Sequence, residues 1–492
     1  MTIPTTMPMP VSTLLPNWPP AHPDLSASPV VAQVIAKAGS PSFDTWWTRL
    51  AGVGYCARPV HLTGRDHTGR RITVMGRCKN RRAAVCPSCS DLYAGDTWHL
   101  VSAGIAGAPT LNLPATVAAH PMVFATLTAP SYGPVHTIRR GAVGAARRCH
   151  PDTVGQRCPH GQPHWCTRIH DDEDPTVGHA VCPDCYDYQA HVLFTWHAPQ
   201  LWHRFSINLR RLLAHHLRDL GADPASVRIA HVKVVEMQAR GIPHLHTVIR
   251  LDDATHPASE PPVAPAAPIT TTELAGLIVR AARTVKLSVP VGDEAATVTF
   301  GEQIDVQPIA GPDRATAPVD ESGACSARKV AGYLAKYVTK SVTDFGLGHH
   351  RLSPLAITTL SVTEHVRRIL TSIAALAEQP GRADMLTRLH TLGYRGHITT
   401  KTRRYSTTMG ALRARRQAWR ENLNTAEQST SSEPDDADIS DDDQQIEWTF
   451  ISCGHDTEGE RLLAITAAIR AREQRYAARD DVADQRAQEQ TP

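Results

Sequence analysis

Val227 to Gln238 (VRIAHVKVVEMQ) and His244 to Leu251 (HLHTVIRL) are apolar runs rich in β-branched residues, with Gly241 and Pro243 between them. Runs of this kind joined by turn residues predict an antiparallel hairpin. Met122 to Pro130 (MVFATLTAP) stops at proline and predicts a buried strand, and ATVTFGEQIDVQPI is also strand-like. Helical spacing marks VVAQVIAKAG, FDTWWTRLAG, SARKVAGYLAKYVTKSV and ERLLAITAAIRAREQRYAAR. TTELAGLIVRAARTV adds a Thr cap with Glu following. DYQAHVLFTWHAPQLWHRFSINLRRLLAHHL predicts a long helix broken near Pro199. Together these elements predict an α+β core, with helices on one side of an antiparallel sheet.

At 492 residues the chain exceeds what one hydrophobic core usually supports, so two or more domains are expected. No apolar run approaches the roughly 18 residues of a membrane helix, and no Lys or Arg precedes Lys37 to form the basic start of a secretory signal. A cytoplasmic protein with no membrane partner is expected. The net charge of +3 is uninformative, but its distribution is not: residues 388–420 contain no acid, whereas Glu433 to Asp443 is strongly acidic. This contrast divides the chain into a flexible and helical N-terminal region (1–50), a cysteine module (51–95) and a core (96–345) that contains a second cysteine-rich insertion (149–186). A basic region (346–424), an acidic linker (425–444) and a helical tail (445–492) follow. DDATHPASEPPVAPAAP reads as a surface insertion in the core, and residues 1–30 as a proline-rich lead-in.

The candidate chemistry lies in three places. His244 and His246 share one strand face, and Glu236 and Gln238 share a face of the preceding strand. Two imidazoles with a carboxylate or amide suit Mg²⁺ or Mn²⁺ completed by phosphate and water oxygens. Tyr333 and Tyr337 stand four apart on one helix face, each followed three residues later by a lysine, Lys336 and Lys340. The same tyrosines also fit a plain apolar stripe with Val330, Leu334 and Val338.

Eleven cysteines suit metal ligation better than disulfides. Cys56, Cys78, Cys86 and Cys89 form one quartet, and Cys158, Cys166, Cys182 and Cys185 a second, each ending in C-x-x-C. Two structural zinc ions are expected. His160 or His164 could replace one cysteine of the second quartet, while Cys149, Cys325 and Cys453 are left over. Lys401, Arg403, Arg404 and Tyr405 offer cations for phosphate and one ring for stacking.

VFATLT, HLHTVI and YLAKYVTK, in this order, resemble the three motifs of the HUH endonucleases that initiate rolling-circle replication. CKNRRAAVCPSCSDLYAGDTWHLVSAG, VFATLTAPSYGPVH and GHITTKTRRYSTTMGALR further resemble actinomycete plasmid replication initiators of the RepSA type. The resemblance covers roughly residues 50–480 and implies an HUH-type sheet core. It also implies a divalent cation on His244, His246 and Glu236, with Gln238 the alternative third ligand. Tyr337 would attack a phosphodiester of single-stranded or extruded origin DNA, giving a 5′-phosphotyrosyl link and a 3′-hydroxyl for host polymerase and helicase. Tyr333 would be a second nucleophile, and Lys336 and Lys340 would neutralise phosphate. VFATLT itself reads as packing. A two-tyrosine HUH transposase and a non-catalytic, zinc-dependent DNA-binding regulator are the rival readings.

Overall fold

A computed structural model describes residues 28–65, 69–141, 144–257, 260–309, 325–339, 345–348, 350–429 and 447–489. Residues 1–27 of the lead-in, the acidic run 433–443 and Lys340 lie outside the described residues. The chain divides into two units: residues 1–94 with 424–492, and residues 95–423.

The first unit holds α1 (Pro29–Ala38), α2 (Phe43–Gly52), β1 (Val60–Arg65), β2 (Arg71–Gly76) and the start of α3 (Pro87–Ala106). It is completed from the far end of the chain by β12 (Thr449–Cys453) and α9 (Glu458–Glu489). The C-terminal region is therefore not solely a helical tail. Its strand pairs with β1 in an antiparallel sheet of order β12-β1-β2. Lys37 and Glu460 form an ion pair at 2.7 Å between α1 and α9, and Ala464 is buried with Leu50, Val53, Cys56, Cys86 and Cys89.

The larger unit is built on an antiparallel five-stranded sheet of order β10-β3-β7-β6-β11. These strands are β3 (Met122–Leu127), β6 (Val227–Met237), β7 (Pro243–Asp253), β10 (Ile304–Pro308) and β11 (Thr399–Lys401). The β6–β7 hairpin carries eleven registered pairs, from Val227 with Asp253 to Met237 with Pro243. Short hairpins β4 (Arg139–Arg140) with β5 (Ala146–Arg147), and β8 (Leu287–Val291) with β9 (Glu294–Val298), stand apart from this sheet. ATVTFGEQIDVQPI is thus two strands in two sheets rather than one.

Alternation decides the faces of the main sheet. Val123, Ala125, Leu127, Leu245, Ile249 and Leu251 face a core made with α4 (Tyr188–Asp219), α5 (Thr271–Thr284) and α7 (Glu364–Ala377). In α4, Leu201, Phe205, Leu209, Leu213 and Leu217 recur at helical spacing and are all buried. Each such side chain contributes roughly 1.5–3 kcal/mol relative to exposure. That burial explains why α4 runs unbroken through Pro199, despite the roughly 3 kcal/mol a mid-helix proline costs. The capping box on α5 is present in full, Thr270 and Glu273 each bonding the other's backbone N–H.

Helices also cover the opposite sheet face. The later part of α3 reaches it through Gly104, whose carbonyl accepts from Arg250, and α6 (Ala327–Tyr337) lies against β6. The remaining helix, α8 (Met409–Ser429), follows β11. The architecture is α+β, with helices on both sides of the sheet rather than one.

Candidate functional site

The hairpin register sets Glu236 opposite His244 and Val234 opposite His246. On the other edge of β7, Thr126 of β3 stands opposite His246. The pleat therefore collects Phe124, Thr126, Glu236, His244 and His246 on one face. His246 is only 2% exposed. Its Nδ1 lies 3.1 Å from Thr126 Oγ1 and its Nε2 lies 3.0 Å from Glu236 Oε2. Phe124 stacks against the His246 ring with centroids 6.0 Å apart.

Thr126 is the residue the sequence did not reveal as functional. The signal was available in the alternation of VFATLT, where Val123, Ala125 and Leu127 are buried in the core and Phe124 and Thr126 turn to the histidines. A hydroxyl on one imidazole nitrogen fixes the ring so that the other nitrogen faces the site. Thr126→Val is expected to weaken divalent-cation binding by about 10–100-fold with little change in melting temperature, checked by Mn²⁺ titration. Unchanged Mn²⁺ affinity would leave Thr126 a packing residue.

His244 is half-buried. Burial, followed by the charges of His246 and Arg240, lowers its pKa to about 3. It is therefore neutral at ordinary pH, with a free lone pair. Its ring centroid lies 6.0 Å from that of His246. Gln238 lies just beyond β6, and its Oε1 accepts from Arg240 Nε at 3.2 Å. His244 and Gln238 both open onto a cavity of about 930 Å³.

The tyrosine helix meets this face. Ser326 caps α6 by accepting from the Lys329 backbone N–H. Val330, Leu334 and Val338 are buried, so the apolar stripe excludes the tyrosines. Tyr333 is 38% exposed, and its hydroxyl stands 3.5 Å from His246 Nε2. The Tyr337 ring stacks on His246 at 5.9 Å and lies 4.5 Å from that of Tyr333. Burial, then the neighbouring Tyr337 and Glu236, raise the Tyr333 pKa, so this phenol is protonated at neutral pH. Lys336 is exposed, its Nζ 5.8 Å from the Tyr337 ring centroid.

Imidazole nitrogen and carboxylate oxygen are the donor types a catalytic divalent cation takes. His246 and Glu236 already face one another as a hydrogen-bonded pair. His244 is on the same face, but its donor atom is not drawn into a tight three-residue cluster with theirs among the described residues. Holding a cation with all three would require their donor atoms to draw closer than they stand here.

The cysteines are more tightly gathered. Cys56, Cys78, Cys86 and Cys89 bring their sulfurs within 4.8 Å of one another. Backbone N–H groups of Ala57 and Cys78 donate to the Cys86 and Cys56 sulfurs. In the second module the group that converges is Cys158, His160, Cys182 and Cys185. Cys158 and Cys182 sulfurs are 3.6 Å apart, and His160 Nδ1 is 3.3 Å from Cys185 Sγ. His160 takes the place expected for Cys166, which stands in other company. C-x-x-C pairs are visible as local spacing, but the choice between a distant cysteine and a nearby histidine depends on how the loop closes.

The basic segment departs most from expectation. Tyr405 is fully buried, its hydroxyl donating to the Val101 carbonyl at 3.1 Å, so it offers no ring for a base. Lys401 turns back to donate to the carbonyls of Thr402, Arg403 and Ser406. Arg404 donates to the carbonyls of His256 and Pro257. Of the four residues expected on DNA, Arg403 alone is exposed. The physical reason is that aromatic and cationic side chains also serve as glue between a strand end and a helix, and sequence does not separate the uses.

Comparison with known proteins gives the family to which the chain belongs. The family described as "RepSA: Replication initiator protein, pSAM2" matches residues 42–469, and this chain belongs to it. It is 36% identical over 496 residues to a replication initiator protein of Streptomyces ambofaciens, covering 95% of this chain and 99% of that one. The protein is thus a replication initiator of the RepSA type, and such a protein acts on DNA. No solved structure matches the chain significantly. Among the described residues, no helix is long and apolar enough to cross a membrane.

Proposed function

We propose that the protein starts rolling-circle replication of a plasmid or integrative element by nicking and rejoining origin DNA, in the manner of an HUH endonuclease. The observation that carries this reading is the convergence of α6 on β7, with the Tyr333 hydroxyl 3.5 Å from His246 Nε2 and the Tyr337 ring stacked on the same imidazole.

The phenol oxygen of Tyr337 attacks a phosphorus in single-stranded or extruded origin DNA. The new bond is O–P to tyrosine, the bond broken is P–O3′, and the phenolic proton ends on the released 3′-hydroxyl. Reversal by another 3′-hydroxyl rejoins the strand. A Mg²⁺ or Mn²⁺ ion on His244, His246 and Glu236 would neutralise charge at the phosphate. Thr126 and Glu236 orient His246, burial keeps His244 neutral, and Lys336 faces solvent where the DNA backbone would run. Gln238, tied to Arg240, is the weaker candidate for third ligand. The freed 3′-hydroxyl is then the primer for host polymerase and helicase.

Zinc in the Cys56–Cys89 cluster and in the second module would be structural, because soft thiolates suit it and not Mg²⁺. The test of the whole reading is incubation with labelled origin DNA and Mn²⁺, followed by a search for a detergent-stable covalent adduct. Its absence with active, DNA-binding protein would remove the enzymatic reading. A preference for terminal element sequences over origin DNA would instead favour transposition.

Of the four residues expected on DNA, Arg403 is the remaining candidate for phosphate contact. Arg403→Ala is expected to weaken DNA binding evenly across sequences and to reduce the salt slope of log K by about 1, checked by binding titrations at several ionic strengths. An unchanged slope would exclude the contact.

A further inference from the structure

The insertion between β3 and α4 holds a second cluster of ligands, and it uses three residues, His136, Cys149 and His170, that the cysteine quartets read from the sequence leave aside. His136, Cys149, Cys166 and His170 place one ligand atom each within 4.8 Å of the others. Cys149, Cys166 and His170 are buried and His136 is half-buried. Cys166 Sγ lies 3.4 Å from His170 Nε2.

The surroundings are those of a metal site. The other nitrogen of His170, Nδ1, is 2.7 Å from Asp174 Oδ2. A carboxylate on the far ring nitrogen is the usual support for a ligating histidine, because it sets the tautomer and the ring angle. Asp174 is itself held by the Thr176 backbone N–H and hydroxyl. Cys149 Sγ accepts the Thr137 backbone N–H at 3.2 Å, and His150 Nδ1 lies 2.9 Å from the same sulfur. His136 Nδ1 is buried and has no hydrogen-bond partner. A buried ring nitrogen without a partner is costly unless something else binds there.

We propose that His136, Cys149, Cys166 and His170 form a third zinc site of two thiolates and two imidazoles. The insertion is then a two-ion module, this S₂N₂ site beside the S₃N site of Cys158, His160, Cys182 and Cys185. Four nitrogen and sulfur donors from four separate chain positions suit tetrahedral Zn²⁺.

The site has a consequence for the histidine face. His136 also lines the cavity onto which His244 opens. Its backbone pairs with the far arm of the insertion, His136 N–H to His179 O and Gly178 N–H to His136 O, both at 2.8 Å. Gly178, at φ 87, lies so close to the Ala239–Arg240 peptide that a Cβ would fall 2.4 Å from Ala239 C. An ion joining His136 to Cys149, Cys166 and His170 therefore fixes the cavity wall that touches the β6–β7 turn. This inference stands whether or not the protein nicks DNA.

The test is metal content of the full chain, purified with zinc present and measured by mass spectrometry against protein concentration. Three ions per chain are expected. Cys149→Ser and His170→Ala should each give two, while His170→Cys, which restores a ligand, and Cys453→Ser, at an exposed cysteine outside every cluster, should keep three. Should the Ser and Ala variants fail to fold, ¹¹³Cd substitution of the unaltered chain decides: separate resonances for S₄, S₃N and S₂N₂ environments are expected. Two ions in the unaltered chain, with only S₄ and S₃N resonances or with a Cys149–Cys166 disulfide in the native protein, would overturn the proposal.

Discussion

Tyr337→Phe is expected to lower covalent adduct formation with origin DNA by about 10³-fold or more, because phenylalanine carries no oxygen to bond phosphorus. Tyr333→Phe is expected to retain adduct formation within a few-fold and to slow strand rejoining instead. The two rings are 4.5 Å apart and both contact His246, so geometry alone admits either as nucleophile. Burial, then the nearby Tyr337 and Glu236, raise the Tyr333 pKa and so oppose formation of its phenolate. Denaturing gels of adduct formed with labelled DNA, run for both variants, check the assignment. Loss of the adduct in Tyr333→Phe with retention in Tyr337→Phe would transfer the nucleophile to Tyr333. Retention in both single variants with loss in the double would make them interchangeable.

Asp252→Ala is expected to destabilise the larger unit by about 3–5 kcal/mol, the usual result of removing one partner from a buried ion pair. Arg250 is wholly buried, with Nε 2.7 Å from Asp252 Oδ1 and its second terminal nitrogen 3.0 Å from Oδ2. His120 Nδ1 bonds the same carboxylate at 2.9 Å, and the Tyr405 ring lies 5.4 Å from the guanidinium. Without Asp252 the guanidinium keeps, among the described residues, the Gly104 carbonyl as its hydrogen-bond acceptor. Burial alone would raise the Asp252 pKa, but bonds from His120 and Arg250 outweigh it and hold the carboxyl below 3.8. The sign follows: the unfolded chain binds the proton first, so this part of stability is complete above pH 3.8 and is lost as pH falls through the lower folded value. Chemical denaturation at pH 7 and across the acid range measures both effects. Wild-type stability in the variant would show that the cluster is relaxed or hydrated.

Lys233 provides a contrasting buried charge. It is 3% exposed on the core face of β6, and burial lowers its pKa to about 8. Its ammonium sits 5.3 Å from the Trp202 ring centroid. A lysine depressed in the folded state opposes folding when charged, so stability from this group should rise between pH 8 and 10.5. Lys233→Met is accordingly expected to raise stability at pH 7 by about 1–3 kcal/mol, read by the same denaturation. A loss of stability would mean that the Trp202 contact outweighs desolvation.

The elements legible in sequence were those with strong local signals. The β6–β7 hairpin, the capped α5 and the long α4 follow from runs of β-branched residues, a Thr-to-Glu cap and a recurring apolar stripe. The cysteine pairs Cys86/Cys89 and Cys182/Cys185 are legible for the same reason, since C-x-x-C is a local spacing. β12 was not legible, because TFISC at residues 449–453 acquires a partner only by returning to β1 across almost 400 positions of chain. Pro199 misled because local backbone preference is weaker than the sum of the core contacts around it.

The histidine face divides in the same way. Chain order and strand alternation alone put His244 with His246, Glu236 with Gln238, and Tyr333 above Tyr337. That pairing follows from backbone periodicity, which every residue carries with it. Folding chose among the pairs. It set Glu236 rather than Gln238 against His246, turned Thr126 onto the other ring nitrogen, and drew Cys166 away to His170. It also buried Tyr405, which composition had offered to DNA. Such choices depend on register between distant strands and on loop closure, and neither is written in the spacing of neighbouring residues.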